Sequence, residues 1–129
     1  HSGQYRFYLD AAHQVDKWIS EIWSFVQSHP AYKNKTALLI TTDHGRGDKN
    51  KSQWTGHGSN IEGAGETWFA LMAPNLVAKV KGEIKSDVQL YQQQLAQTMA
   101  ALIGLIFTAN QPVAPAVEEV LLDILFILD

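Results

Sequence analysis

Apolar residues recur at three- and four-residue steps near the start of the chain. Tyr8, Ala12, Val15, Ile19, Ile22, Trp23 and Val26 keep this period, with Asp16, Lys17, Ser20 and Glu21 between them. The spacing predicts an amphipathic helix from about Gln4 to Ser28. His29-Pro30 closes it, because the residue before a proline avoids the helical region. After the polar connector "AYKNK" the pattern changes. "TALLITT", Thr36 to Thr42, has a continuous apolar centre with β-branched flanks. That predicts a strand buried on both faces, as in a parallel sheet covered by helices.

Periodicity then lapses from Asp43 to Gly65, a stretch with six glycines. A loop this long is uncommon in a compact domain unless it is functional. "ETWFALMAP" predicts a second strand, stopped by Pro74. A less regular stretch with a turn around Gly82 leads to "LYQQQLAQTMAALIG", Leu90 to Gly104. Leu95, Met99, Leu102 and Ile103 form one face of a predicted helix there, and Gly104 suits its C-cap. "TANQPVAPAVEE" is a loop. The closing "VLLDILFILD" predicts a helix or strand that packs on something else.

The order helix, strand, loop, strand, helix predicts an α/β fold. The expected architecture is a mostly parallel sheet with helices on both faces, three layers α/β/α, of which this chain forms a partial domain. In open α/β sheets the ligand site lies beyond the C-terminal strand ends. Asp43 and His44 fall at that place.

Composition narrows the chemistry. The chain has 129 residues, 46% hydrophobic and 18% charged, so a packed core is expected and disorder is not. A net charge of -3 gives no basic footprint for nucleic acid. There are no cysteines, so any metal must be held by His, Asp or Glu. The apolar final run falls short of the roughly 20 residues of a spanning helix, so no membrane span is expected. No signal peptide is visible. The chain opens on His1 rather than Met, as a processed, tagged or excised chain would.

The glycine-rich loop carries Asp43, His44, Asp48, His57, Glu62 and Glu66. A carboxylate and an imidazole at adjacent positions can reach one metal if the backbone bends after the strand. Gly45 and Gly47 permit that bend. His57 sits between Gly56 and Gly58, where the backbone can approach closely and aim the ring. An Asp-His pair after a strand serves equally as a cap or turn; the second imidazole in the same loop is what favours metal ligation. Mixed His/Asp sets suit zinc or manganese.

"LLITTDHGRG", then "GHG", then "ETWFALMAPN" resembles the C-terminal part of the catalytic domain of the alkaline phosphatase superfamily. That group contains phosphatases, phosphodiesterases, arylsulfatases and metal-dependent phosphoglycerate mutases. The resemblance covers roughly Ser2 to Gly104 and makes residues 1–129 the C-terminal portion of such a domain. It implies a two-metal site, most often two zinc ions with manganese as the alternative. Asp43 and His44 would bind one metal and His57 the other. "HSGQYRFYL" resembles the end of a further ligand stretch, which makes His1 a candidate for the second ion. A leading "HSG" is also what a tag remnant leaves. Arg46 would meet a phosphate or sulfate oxygen, since a guanidinium matches a tetrahedral oxyanion bidentately.

The pattern departs from the superfamily: the Asp expected as partner ligand a few residues before His1 is not present, and a second group is missing as well. No Ser or Thr nucleophile with its metal-ligating Asp stands in the expected place, so no catalytic nucleophile is assigned and this chain alone is expected to be inactive. Thr41 and Thr42 are expected to be structural. The implied function is that of a fragment of a metal-dependent hydrolase of phosphate or sulfate esters. A phosphate-transferring mutase of the same superfamily and a non-catalytic α/β interaction domain are the alternatives. The resemblance favours an extracytoplasmic location, periplasmic or secreted; oligomeric state is left open. Glu66 is a candidate hydrogen-bond partner for a ligand imidazole, Trp54 a pocket wall, Trp68 a core residue, and His13 and His29 surface residues of the first helix.

Overall fold

The structure is a computed structural model that describes residues 2–74, 76, 82–85 and 87–121. Its elements are helix α1 (Tyr5–Ser28), strand β1 (Leu38–Thr41), the short helix α2 (Lys51–Trp54), strand β2 (Phe69–Met72), a 3-10 turn (Gln92–Gln94) that runs into α3 (Leu95–Leu102), and a last 3-10 turn (Glu118–Val120). The chain divides into two units, one of residues 1–36 and 40–71 and one of 37–39 and 72–129.

In the first unit, α1 occupies the span its period predicts. The His29 amide closes the helix on the Phe25 carbonyl at 3.0 Å, and the following proline keeps it closed. His29 does more than sit on the surface. Its Nδ1 accepts from the Ala31 amide at 3.2 Å, and its ring lies 4.8 Å from Tyr32 and 5.6 Å from Phe25. No residue of α1 is buried. Val15, Trp18, Ile22 and Phe25 follow one another at three- and four-residue steps and remain about half exposed. The exposed pairs Arg6–Asp10 (3.9 Å) and Lys17–Glu21 (3.7 Å) add little to stability.

The expected three-layer parallel architecture is not what forms. Among the described residues the sheet has two strands, β1 and β2, and they are antiparallel. The Thr41 hydroxyl at the end of β1 donates to the carbonyl of Trp68, just before β2, at 2.8 Å. Farther into the loop the Gly45 amide donates to the Ala64 carbonyl at 2.8 Å. A parallel pair needs a long crossover, usually a helix, to carry the chain back to the starting edge. The segment from Asp43 to Trp68 does not cross over; it folds back and pairs with itself. β1 is not buried on both faces either, for Leu38 to Ile40 are only half-buried and Thr41 is exposed. Trp68, expected in the core, is 56% exposed.

Among the described residues of the second unit, Thr98, Val117, Val120 and Leu121 are buried. Thr98 ties them together. Its hydroxyl donates to the Gln94 carbonyl at 2.7 Å and accepts from the Val117 amide at 2.9 Å. A helical threonine thereby supplies the partner that the buried Val117 N–H needs. The 3-10 turn ahead of α3 is closed reciprocally, with the Gln94 side chain accepting from the Tyr91 amide at 2.8 Å. Gly104 follows α3 with φ +73, the left-handed helix end expected of it. Of the apolar C-terminal segment, Val120 and Leu121 are described; the rest lies outside the described residues.

Candidate functional site

The loop after β1 is closed by contacts that only small residues permit. A Cβ on Gly45 would collide with the carbonyls of Gly63 and Glu66. Gly47 is buried, and a Cβ there would come within 2.7 Å of Ile61 and 2.8 Å of the Gln53 side chain. Two arms of the loop, 43–47 and 61–66, therefore lie backbone against backbone. Between them Asn50 starts α2, its Oδ1 accepting from the Gln53 amide at 3.0 Å. Lys49 pairs with Glu62 across the loop, both side chains exposed.

This closure brings together residues distant in sequence. The imidazole rings of His44 and His57 are stacked, with centroids 3.9 Å apart and planes 13° from parallel. His44 is largely covered, at 20% side-chain exposure, whereas the Asp43 carboxylate is 90% exposed. His44 Nδ1 lies 2.7 Å from the Gly45 carbonyl. A carbonyl only accepts, so Nδ1 is the donor in this contact, and in the neutral ring the lone pair is then on Nε2. That is the tautomer a metal-ligating histidine needs, oriented by a backbone carbonyl. Asp43 Oδ1 accepts from the His44 amide at 3.0 Å and lies 3.7 Å from His44 Nε2.

These positions fit part of a metal frame. Zinc–nitrogen and zinc–carboxylate bonds run to about 2.0–2.2 Å, so two donors on one ion lie within about 4.4 Å of each other. Asp43 Oδ1 and His44 Nε2 meet that limit. His57 does not join them as a third donor on the same ion. Among the described residues no group of three or more His, Asp, Glu or Cys side chains is close enough to hold one metal. Its stacking explains why: lone pairs lie in the ring planes, and those of two near-parallel rings do not converge. His1, the remaining candidate ligand, lies outside the described residues.

Arg46 takes a place the sequence did not suggest. Its guanidinium carbon stands 5.2 Å from the Tyr8 ring centroid and 4.9 Å from that of Trp54. Its Nη1 donates to the Trp54 carbonyl at 3.0 Å. Trp54, expected as a pocket wall, packs edge-on against Tyr8 at 5.7 Å and Tyr5 at 6.3 Å. Tyr8 was legible only as one apolar position of a helix; its partnership with an arginine in a distant loop leaves no mark on either segment.

No protein-family model, curated protein or solved structure matches the chain. No described helix is long and apolar enough to cross a membrane.

Proposed function

We propose that this chain carries part of the metal-binding frame of a hydrolase acting on phosphate or sulfate esters, in the manner of the alkaline phosphatase superfamily. The stacking of His44 on His57 is the observation that carries the reading. Two near-parallel imidazoles cannot serve one ion, but they can each serve one of two ions a ring spacing apart. With their donor nitrogens on the same side, rings 3.9 Å apart would suit ions roughly 3.5–4 Å apart, the spacing of two-metal sites. When bound, such ions clamp the attacking and leaving oxygens of an in-line displacement and neutralise the charge that develops there.

The residues of this chain have the following parts. Asp43 and His44 offer two donors for one ion, and His57 offers one for the other. The Gly45 carbonyl holds His44 in the tautomer that leaves Nε2 available. Gly45 and Gly63 let the loop close tightly enough to stack the rings. The nucleophile and the remaining ligands would come from outside residues 1–129.

Calorimetry with zinc tests the reading. The wild-type chain should take up zinc more weakly than closed structural sites, whose binding reaches about 10–16 kcal/mol. Uptake should weaken on acidification, since a ligating imidazole must be neutral. It should be lost in the Asp43→Ala/His44→Ala double variant. Identical uptake by wild type and double variant would reduce the Asp-His pair to a turn.

A further inference from the structure

We propose that Arg46 is a positioning residue for His44, holding its ring through the Gly45–Arg46 peptide, and is not a contact for the substrate anion. The inference rests on the metal-frame reading above and assigns Arg46 a different part from the one its chemistry first suggests.

The carbonyl that accepts from His44 Nδ1 belongs to Gly45, and that carbonyl is one end of the planar peptide unit whose other end is the Arg46 nitrogen. Whatever fixes Arg46 fixes the plane of that carbonyl. Arg46 is fixed on its side chain by two faces and an edge. Tyr8 and Trp54 each present a ring within about 6 Å of the guanidinium carbon, the range of cation–π attraction. The Trp54 carbonyl takes its Nη1. The rings are themselves braced, Tyr5 lying 6.2 Å from Tyr8 and 6.3 Å from Trp54. On the backbone side the Gly45 amide is bonded to Ala64, and Gly47 is buried against Ile61 and Gln53. The glycines alone would leave the peptide plane between them easy to rotate. Arg46 is the side chain that ties this glycine-flanked segment to α1 and α2.

The aromatic site is thus filled by the protein's own cation. A bidentate grip on a tetrahedral anion competes with the two ring contacts and with the Nη1 already held by the Trp54 carbonyl. A lysine replaces it poorly, because a compact ammonium lacks the planar, delocalised group that meets two aromatic rings and a carbonyl at once.

The test uses the whole chain, metal-free, by NMR of isotope-labelled histidines, followed by zinc calorimetry. In wild type, cross-ring NOEs between His44 and His57 and a single Nδ1–H tautomer of His44 are expected. Arg46→Lys and Tyr8→Leu should weaken those NOEs and mix the tautomers, while far-UV circular dichroism holds. Zinc affinity should fall about tenfold, the lower end of what losing a residue that orients a ligand costs. Arg46→Lys guards against Arg46→Ala failing to fold. If the rings and tautomer in Arg46→Lys match wild type, the positioning role is overturned. It is equally overturned if Arg46→Ala abolishes inorganic phosphate binding to the zinc-loaded chain without moving the rings. If no form of the chain takes up zinc, the metal-frame reading fails, and the metal-free spectra still decide whether Arg46 positions His44.

Discussion

The Gly45 amide donates to the Ala64 carbonyl at 2.8 Å, and this single rung closes the loop that follows β1. It lies beyond the sheet edge, where the Thr41 hydroxyl meets the Trp68 carbonyl, and outside both strands.

Because Gly45 faces the carbonyls of Gly63 and Glu66 with no room for a side chain, Gly45→Ala is expected to destabilise the chain by about 1–3 kcal/mol, the range of overpacking. Gly65 has nothing within 4 Å of a would-be Cβ. Gly65→Ala should therefore be neutral or stabilising by about 0.4–1 kcal/mol through the unfolded chain. Urea midpoints of the two variants check the contrast. Equal midpoints would mean the two arms of the loop do not approach as closely as described.

In the second unit the buried hydroxyl of Thr98 is the test point. Thr98→Val keeps the volume but strands the Val117 N–H, and Val117 is only 2% exposed. Leaving a buried donor unsatisfied costs about 1–3 kcal/mol, so the urea midpoint should fall accordingly. Thr98→Ser keeps both hydrogen bonds and should cost less. A valine variant as stable as the serine variant would show that Val117 finds another acceptor.

Exposed residues should behave differently. Ile22 and Phe25 on α1 are 53% and 56% exposed. Ile22→Glu should shift stability by no more than about 0.5 kcal/mol, as surface substitutions do. The wild-type chain should bind the dye ANS through the same apolar stripe, and the variant should bind less. A loss of several kcal/mol in Ile22→Glu would instead place that face inside a core in solution.

Local patterns proved the most legible. The period of α1 and its stop at His29-Pro30 depend on neighbours a few residues away, and so does the left-handed end at Gly104. The positions of β1 and β2 were legible for the same reason. Their direction was not. A continuous apolar run such as Leu38 to Ile40 suits a strand covered on both faces, but strand direction is set by how the intervening segment closes. Here it closes by glycine contacts between residues far apart in sequence. His44 and His57 were legible as members of one glycine-rich loop, though not as a stacked pair. The Arg46 site was hidden altogether, since its parts come from α1, α2 and the loop. Trp68 misled because an apolar run suggested a core ring, whereas its backbone carbonyl is what engages Thr41.

An in-line displacement needs a nucleophile, and the metal-frame reading assigns none to residues 1–129. In that reading Asp43, His44 and His57 would supply donors to ions, and none of them carries a hydroxyl that could attack. Thr41, the nearest hydroxyl-bearing strand residue with a described partner, directs its proton to the Trp68 carbonyl at 2.8 Å and is engaged in the sheet edge. Two-metal sites also draw much of their effect from a complete, pre-organised set of charges. With only part of that set, the isolated chain should not turn over p-nitrophenyl phosphate or p-nitrophenyl sulfate above buffer, with or without added zinc or manganese. Robust turnover by pure chain, abolished in His57→Ala, would show that residues 1–129 contain a nucleophile after all and that the partial-frame reading is wrong. Residual turnover unchanged in His57→Ala would instead point to a contaminant and leave the prediction standing.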